Sequence, residues 1–279
     1  MKRKIIISSI LLLISIIYLY AGNKVIVTTE YEIYSSVLPE SFSGFTVVHI
    51  SDLHNASFGK NQEQLINRIN EVKPDIIVIT GDLIDSRRQG TDNAEELLKN
   101  LPDAIDIYFV TGNHEAASKE YDELLKILED NNVNVLQNEN ALIEKDGQYI
   151  NLCGINDPLF ISGSSYSKEN DERVTEILNG ICSADSYNIL LSHHPEMFDI
   201  YSQSAANLVL SGHAHGGQIR IPFIGGLFAP GQGFFPEYTS GLYTENNTAL
   251  IVSRGLGNSA FPLRINNFPE MVTIRLYCE

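Results

Sequence analysis

The stretch Gly212-His213-Ala214-His215-Gly216-Gly217-Gln218 follows closely on the apolar run Leu208-Val209-Leu210. Successive strand residues point to opposite faces, so a strand continuing through this pair would aim both imidazoles at one place. By itself His-x-His says little, because a histidine on a strand more often satisfies a structural hydrogen bond than it binds a ligand. Four stretches upstream give it weight. Thr46-Val47-Val48-His49-Ile50 ends in Asp52-Leu53-His54, Ile76-Ile77-Val78-Ile79 in Gly81-Asp82, Ile107-Tyr108-Phe109-Val110 in Gly112-Asn113-His114-Glu115, and Ile189-Leu190-Leu191 in His193-His194-Pro195. Strands that deliver metal-binding groups at one end have the geometry of a site at the carboxyl edge of a buried sheet. All seven histidines of the chain lie in or beside these ends, which a surface scatter would not produce.

Length and composition set the frame. A chain of 279 residues with 43% hydrophobic content can form one large catalytic domain, and one is preferred because the strand ends must meet. The net charge of −16 argues against nucleic acid or an anionic membrane held through a basic face. A phosphate recognised here needs positive charge from elsewhere, and bound metal ions would supply it.

Residues 1–21 read as a transmembrane signal anchor and 22–279 as the domain. Lys2, Arg3 and Lys4 precede an uncharged apolar run from Ile5 to Tyr20, near the lower length limit for a membrane helix. The basic flank should stay in the cytoplasm, which places the domain on the extracytoplasmic side of the cell membrane as a single-pass protein. The rival reading is a cleaved signal peptide and a secreted protein. Leu19-Tyr20-Ala21 is a poor small-x-small cleavage site, which favours the anchor.

Between the strand ends, Leu65, Ile66, Ile69 and Val72 recur at helical spacing before Pro74, and Tyr121, Leu124, Leu125 and Leu128 repeat the pattern. Farther on, Tyr149–Leu152, Ala249–Val252 and Met271–Ile274 read as strands. This mixture predicts an α/β fold of stacked sheets flanked by helices rather than one doubly wound sheet. Cys153, Cys182 and Cys278 are far apart and in no metal-ligand spacing, so they read as small buried hydrophobes.

The candidate ligands Asp52, His54, Asp82, Asn113, His193, His213 and His215 are carboxylates, imidazoles and one carboxamide. Without a thiolate, this set suits divalent Mn, Fe or Zn. It is too large for one tetrahedral ion and sufficient for two that share a carboxylate. Paired ions about 3.5–4 Å apart clamp a phosphoryl group and lower a water pKa from 15.7 towards about 7, so that hydroxide is available at neutral pH for in-line attack.

The motifs Asp52-x-His54, Gly81-Asp82, Gly112-Asn113-His114-Glu115, His193 and Gly212-His213-x-His215, in this order, resemble the calcineurin-like metallophosphoesterase superfamily from about Phe45 onward. Gly216–Pro222, Arg254-Gly255-Leu256-Gly257 and Pro269-Glu270 resemble its membrane-associated bacterial branch, described as UDP-2,3-diacylglucosamine pyrophosphatase-like or as Mn-dependent phosphodiesterases. The resemblance implies a four-layer αββα sandwich of two mixed sheets. It implies Asp52, His54 and His215 on a first divalent ion, Asn113, His193 and His213 on a second, Asp82 bridging, and Mn as the favoured metal. His114 would bind no metal and would act on the phosphoryl group or the leaving oxygen.

Other residues take blander readings. His49 lies inside its strand and reads as a core histidine, while His194 should point away from His193 and support the site or the fold. Asp85 and Asp157 read as capping or turn residues. Glu115 stands where many members of the superfamily carry Asp, which bears on how His114 is oriented. The glycine-rich stretch Phe223–Phe235 carries four phenylalanines, which either pack on the core or form an apolar lip beside the metals.

The expected activity is hydrolysis of a phosphodiester or pyrophosphate bond, in one reading on a lipid-linked substrate. A broad phosphodiesterase or phosphomonoesterase of soluble substrates is the alternative within enzymes. A non-catalytic phosphate or metal-binding module is disfavoured because no ligand or catalytic residue is missing.

Overall fold

Two six-stranded sheets face each other in the computed structural model, which describes residues 2–164 and 167–279. The first half of the chain supplies helix α1 (Lys2–Lys24), strands β1 (Val27–Ser35), β2 (Thr46–Ile50), β3 (Ile76–Thr80), β4 (Asp106–Val110) and β5 (Val133–Val135), and helices α2 (Glu63–Val72), α3 (Asp92–Asn100), α4 (Asn113–Ala117) and α5 (Tyr121–Asp130). The second half supplies β6 (Glu139–Lys145), β7 (Gln148–Gly154), α6 (Pro158–Ser162), α7 (Lys168–Ile181), β8 (Asn188–Leu191), α8 (Phe198–Tyr201) and β9 (Leu208–Ser211). Two small ribbons follow, β10 (Arg220–Ile221) with β11 (Gly225–Gly226) and β12 (Phe228–Ala229) with β13 (Gly233–Phe234). Strands β14 (Gly241–Glu245), β15 (Thr248–Val252) and β16 (Glu270–Cys278) complete the chain.

The sheet orders are β1-β16-β2-β3-β4-β5 and β14-β15-β9-β8-β7-β6. Strands β2 to β5 run parallel, as do β7, β8, β9 and β15, while β16 against β2 and the β14 and β6 edges are antiparallel. Both sheets are thus mixed. The carboxyl ends of β2, β3 and β4 from one sheet and of β8 and β9 from the other carry the candidate ligands.

Period-two alternation explains the layers. In β3, Ile76 and Val78 enter the layer between the sheets, where they join Ile189, Leu191, Leu208 and Leu210 of β8 and β9. Ile77 and Ile79 point the other way, onto Leu65, Ile66 and Ile69 of α2, Leu97 of α3 and Leu124 and Leu128 of α5. Leu190 and Val209 likewise turn outward onto Val174 and Leu178 of α7 and Phe198 and Tyr201 of α8. Helix, sheet, sheet, helix is the αββα sandwich, with apolar contact at each of its three interfaces.

Three details go beyond the sequence reading. Helix α1 continues to Lys24, three residues beyond the expected boundary at 21, and β1 begins at Val27, so almost no slack separates helix from sheet. β1 lies parallel to β16 on the sheet edge, and Val27 N donates to Pro269 O at 2.8 Å. The thiols of Cys153 and Cys182, distant in sequence, lie 3.2 Å apart, and both are free.

Leu210 is fully buried between the sheets. Leu210→Ala should cost about 2–5 kcal/mol, because the facing sheet cannot close on the cavity. Urea denaturation of the two proteins checks this; an unchanged midpoint would contradict the packing of that layer.

Candidate metal centre

The two histidines of the quoted stretch do not converge by strand alternation. β9 stops at Ser211, and His213 (φ 64°) and His215 (φ 47°) both adopt left-handed backbone, as do Asp52 (φ 52°), His54 (φ 47°) and Asp82 (φ 54°). That region is sparsely populated by residues with a side chain, and its use by five site residues is strain stored at the site. It sends His213 and His215 to different partners.

Of the four groups of possible metal ligands among the described residues, two share Asp82: one comprises Asp52, His54, Asp82 and His215, the other Asp82, His193 and His213. In the first, His54 Nε2 lies 3.0 Å from His215 Nε2 and 3.5 Å from Asp82 Oδ2, and His215 Nε2 lies 3.3 Å from Asp52 Oδ1. In the second, His193 Nε2 lies 3.3 Å from Asp82 Oδ2, 3.3 Å from Asn113 Oδ1 and 3.1 Å from His213 Nδ1. Asp82 belongs to both. Its Oδ1 accepts the His114 amide at 2.8 Å, which leaves Oδ2 facing the two groups.

The backbone is cut to fit these carboxylates. A Cβ on Gly112 would sit 2.3 Å from Asp82 Oδ1, and one on Gly212 would sit 2.3 Å from Asp52 Oδ2, so neither position admits a side chain without moving a ligand. Asp52 also accepts the His213 amide, at 3.1 and 3.2 Å.

Burial holds His54 down at about 3, and His213 and His215 well below the ordinary histidine range, so these rings offer lone pairs at neutral pH. Burial acts the same way on His193, but the Asp82 carboxylate beside it prevails and raises it. His193 Nδ1 donates to Thr80 O at 2.7 Å, which aims Nε2 into the centre. Nitrogen and oxygen lone pairs converging in a buried space are a poor arrangement alone and a good one around cations. The donor set therefore fits divalent metals.

Several supporting residues were not apparent beforehand. Asp85, read as a turn residue, does accept the Arg87 amide, but it is buried and its Oδ1 lies 3.2 Å from His114 Nδ1. Asp157 caps α6 through the Leu159 amide and also meets His194 Nε2 at 2.6 Å, while Glu196 meets His194 Nδ1 at 2.8 Å. Both ring nitrogens of His194 therefore face carboxylates. His49 sits in the core on Thr80 Oγ1 at 2.7 Å. Arg264, fully buried, donates to Arg254 O at 2.9 Å and lies 3.4 Å from His215 Nδ1; a lone arginine in a polar stretch gave no sequence signal.

Glu115 requires a correction. It does not orient His114; its carboxylate accepts the amides of Asp82 (2.7 Å), Gly112 (2.8 Å) and Ile84 (3.2 Å) and so pins the Asp82 loop to α4. His114 is held instead by the Ser86 amide at Nδ1 (3.0 Å), by Asp85, and by Ser259 Oγ at Nε2 (3.2 Å). Burial opposes charge on His114, but the hydrogen bond to Asp85 and the Asp82 field raise its pKa above the usual value. The Phe223–Phe235 stretch is not core. Phe223, Phe228, Phe234 (71% exposed) and Phe235 (62% exposed) all stand in solvent, on a loop whose base packs against Gly217, where Leu227 N donates to Gly217 O at 3.2 Å.

The calcineurin-like phosphoesterase model matches residues 45–217, more than half of the chain, and spans every candidate ligand. This chain belongs to that family. It is 32% identical to the uncharacterized metallophosphoesterase YkuE of Bacillus subtilis, over 92% of this chain and 87% of the relative. It is 31% identical to a transmembrane protein with metallophosphoesterase domain of Danio rerio, over 88% of this chain but only 56% of that protein. Among solved structures, a dimetal phosphatase from Danio rerio superposes with a TM-score of 0.47 at 14% identity, over 77% of this chain and 88% of that one. With its buried cluster of histidines and aspartates, the family member described here is a metal-dependent phosphoester hydrolase with a divalent dimetal site.

Glu115→Gln keeps size but gives the three amides one carbonyl oxygen in place of two carboxylate oxygens. It should lower stability by about 1–3 kcal/mol, the cost of a buried group left without its partner, and reduce metal retention. Thermal denaturation with metal analysis checks this. Unchanged values for both would show that the Asp82 loop does not depend on Glu115.

Proposed function

We propose that this chain is a membrane-anchored hydrolase of phosphodiester or pyrophosphate bonds, working with two ions on a substrate that itself belongs to the membrane. The observation that carries the dimetal assignment is Asp82 Oδ2, within 3.5 Å of His54 Nε2 and 3.3 Å of His193 Nε2. In this reading Asp52, His54 and His215 hold one ion, Asn113, His193 and His213 the other, and Asp82 is shared. The donor set suits Mn, Fe or Zn, and the resemblance to the membrane-associated branch favours Mn. When bound, such ions supply positive charge for the phosphoryl oxygens and make water acidic enough to react at neutral pH. His114 stands beside His54, ring centroids 4.5 Å apart, and the neighbouring Asp85 and Asp82 carboxylates favour its protonated form, which suits it to protonate the leaving oxygen.

Two variants separate these roles. Asp82→Asn should lose metal and turnover together, because the shared charge that offsets two cations is gone. His114→Ala should keep its metal while the rate falls by about 10²–10⁴-fold, more for alkyl than for nitrophenyl leaving groups. Metal analysis alongside rates decides both; normal metal content in Asp82→Asn, or metal loss in His114→Ala, reverses the corresponding assignment.

Membrane attachment rests on α1, which is apolar, long enough to cross a bilayer and exposed along nearly its whole length. The Danio rerio relative is named as a transmembrane protein. With Lys2, Arg3 and Lys4 inside, the domain lies outside. Protease added to cells with permeabilised outer layers should digest it, and full-length protein should survive alkaline extraction in the membrane. A protected domain reverses the orientation, and a soluble chain starting near Gly22 restores the cleaved signal.

The exposed phenylalanines favour a lipid substrate over a soluble one, since apolar side chains in solvent beside a membrane helix are suited to a bilayer surface. Hydrolysis of 4-nitrophenyl hexadecyl phosphate in phosphatidylcholine nanodiscs should be preferred to that of 4-nitrophenyl ethyl phosphate, which contains the same reacting bond. Replacing Phe228, Phe234 and Phe235 by Ser should raise KM for the hexadecyl ester selectively. Equal effects on both esters would assign the loop a structural role, and no preference in the unmutated enzyme would leave the broad phosphodiesterase as the better account.

A further inference from the structure

Helix α1 does not end clear of the domain it carries. Asn23 Oδ1 accepts from Asn258 Nδ2 at 2.8 Å and from the Arg264 amide at 3.3 Å. Lys24 donates to Ser57 O at 2.9 Å, and Tyr18 Oη accepts the Asn266 amide at 2.9 Å. Gly22 lies so close to Arg264 O that a Cβ would be 3.0 Å from it. Arg264 in turn reaches Asn258 Oδ1 at 3.2 Å and lies beside His215, so the end of α1 is fastened to residues that pack on the metal centre.

This docking borders an open cleft of about 480 Å³, within the range of small-molecule sites. One side of it is α1 itself, through Leu19, Tyr20 and Lys24, and the others include His54, Arg88 and Leu263. His54 belongs to the metal centre, so the cleft runs from the centre to the end of the membrane helix. Its chemistry changes along that path. Near the centre lies Arg88, which is bound to Asp85. Toward the helix lie Leu19, the exposed Tyr20 and Leu263, and beyond them the exposed apolar face of α1 from Ile5 to Ile17. Asn266, which holds Tyr18, also donates to Arg220 O at 3.1 Å, which brings the β10–β11 hairpin and its exposed Phe223 and Ile224 to the same edge.

We propose that the last turns of α1 are part of the substrate site, resting on the phosphoester-hydrolase reading above. The substrate is a membrane amphiphile whose phosphoryl group enters the cleft at His54 while its alkyl part stays along Leu19, Tyr20 and Leu263 in the lipid that surrounds α1. The helix is then a specificity-determining wall as well as a tether, and the substrate reaches the metals without leaving the bilayer. Removing water from these side chains against an alkyl chain gives a selective gain for amphiphiles that a soluble ester cannot use.

The test uses full-length enzyme in phosphatidylcholine nanodiscs and the same two esters. The readout is the ratio of kcat/KM for the hexadecyl over the ethyl ester, a quantity that loss of folded enzyme does not move. The double variant Leu19→Ser, Tyr20→Ser should lower that ratio by roughly tenfold or more through KM, as expected for one or two apolar side chains taken from the contact. Leu263→Ser, on the facing wall, should lower it in the same direction. A ratio above unity that none of these substitutions moves would overturn this inference and leave the lipid reading standing. A ratio of unity in the unmutated enzyme would overturn the lipid reading and this inference with it.

Discussion

Everything at this centre depends on keeping one carboxylate oxygen free. Asp82 sits at the end of a parallel strand with its amide on Glu115 and its Oδ1 on the His114 amide, so that only Oδ2 is left to face histidines from both sheets. An unpaired buried carboxylate is costly, and so is a cluster of buried lone pairs, yet the two together accept cations that neither would hold alone. The left-handed backbone at five site residues and the missing Cβ atoms at Gly112 and Gly212 are the structural terms on which that cluster is assembled. The sandwich supplies the remainder, since two facing sheets bring strand ends from each half of the chain to one seam.

The elements legible in the sequence were those in which burial leaves a pattern. Strands β2, β3, β4, β8 and β9 are nearly all apolar and stop at polar ligands, and α2 and α5 carry clean helical stripes. Strands at sheet edges, such as β1 and β6, alternate with exposed polar residues and carry little signal, and α7 opens on a mostly charged run from Lys168 to Arg173. In the site, the ligand types could be read from the order of motifs, but the hand of the turn could not. Left-handed φ at His213 or Asp52 has no marker when the residue is not glycine. Supporting residues were the least legible, because Asp85 and Arg264 act through His114 and His215, far away in sequence. Glu115 and the phenylalanine loop were visible as oddities; the structure gives Glu115 a different role from the one expected and leaves the phenylalanines exposed, one of the two arrangements the sequence allowed.

The absence of slack between α1 and β1 bears on function as well as architecture. A catalytic domain on a long tether would sample substrates in bulk solution and in the membrane alike. Here Tyr18, Asn23 and Lys24 are bonded to the domain, and the exposed phenylalanines lie on a loop that emerges directly after His215. In the proposed membrane-anchored reading, the same residues that fix the helix would orient the metal centre relative to the bilayer, which would tie the substrate question to the anchor rather than to the metals.

The central claim is that Asp82 is shared between two ions. Anomalous diffraction at the Mn edge from crystals of Mn-loaded protein tests it most directly. The account predicts two peaks about 3.5–4 Å apart with Asp82 Oδ2 on both, one beside Asp52, His54 and His215 and the other beside Asn113, His193 and His213. A single peak, or density centred on His194 and Glu196 instead, would contradict it.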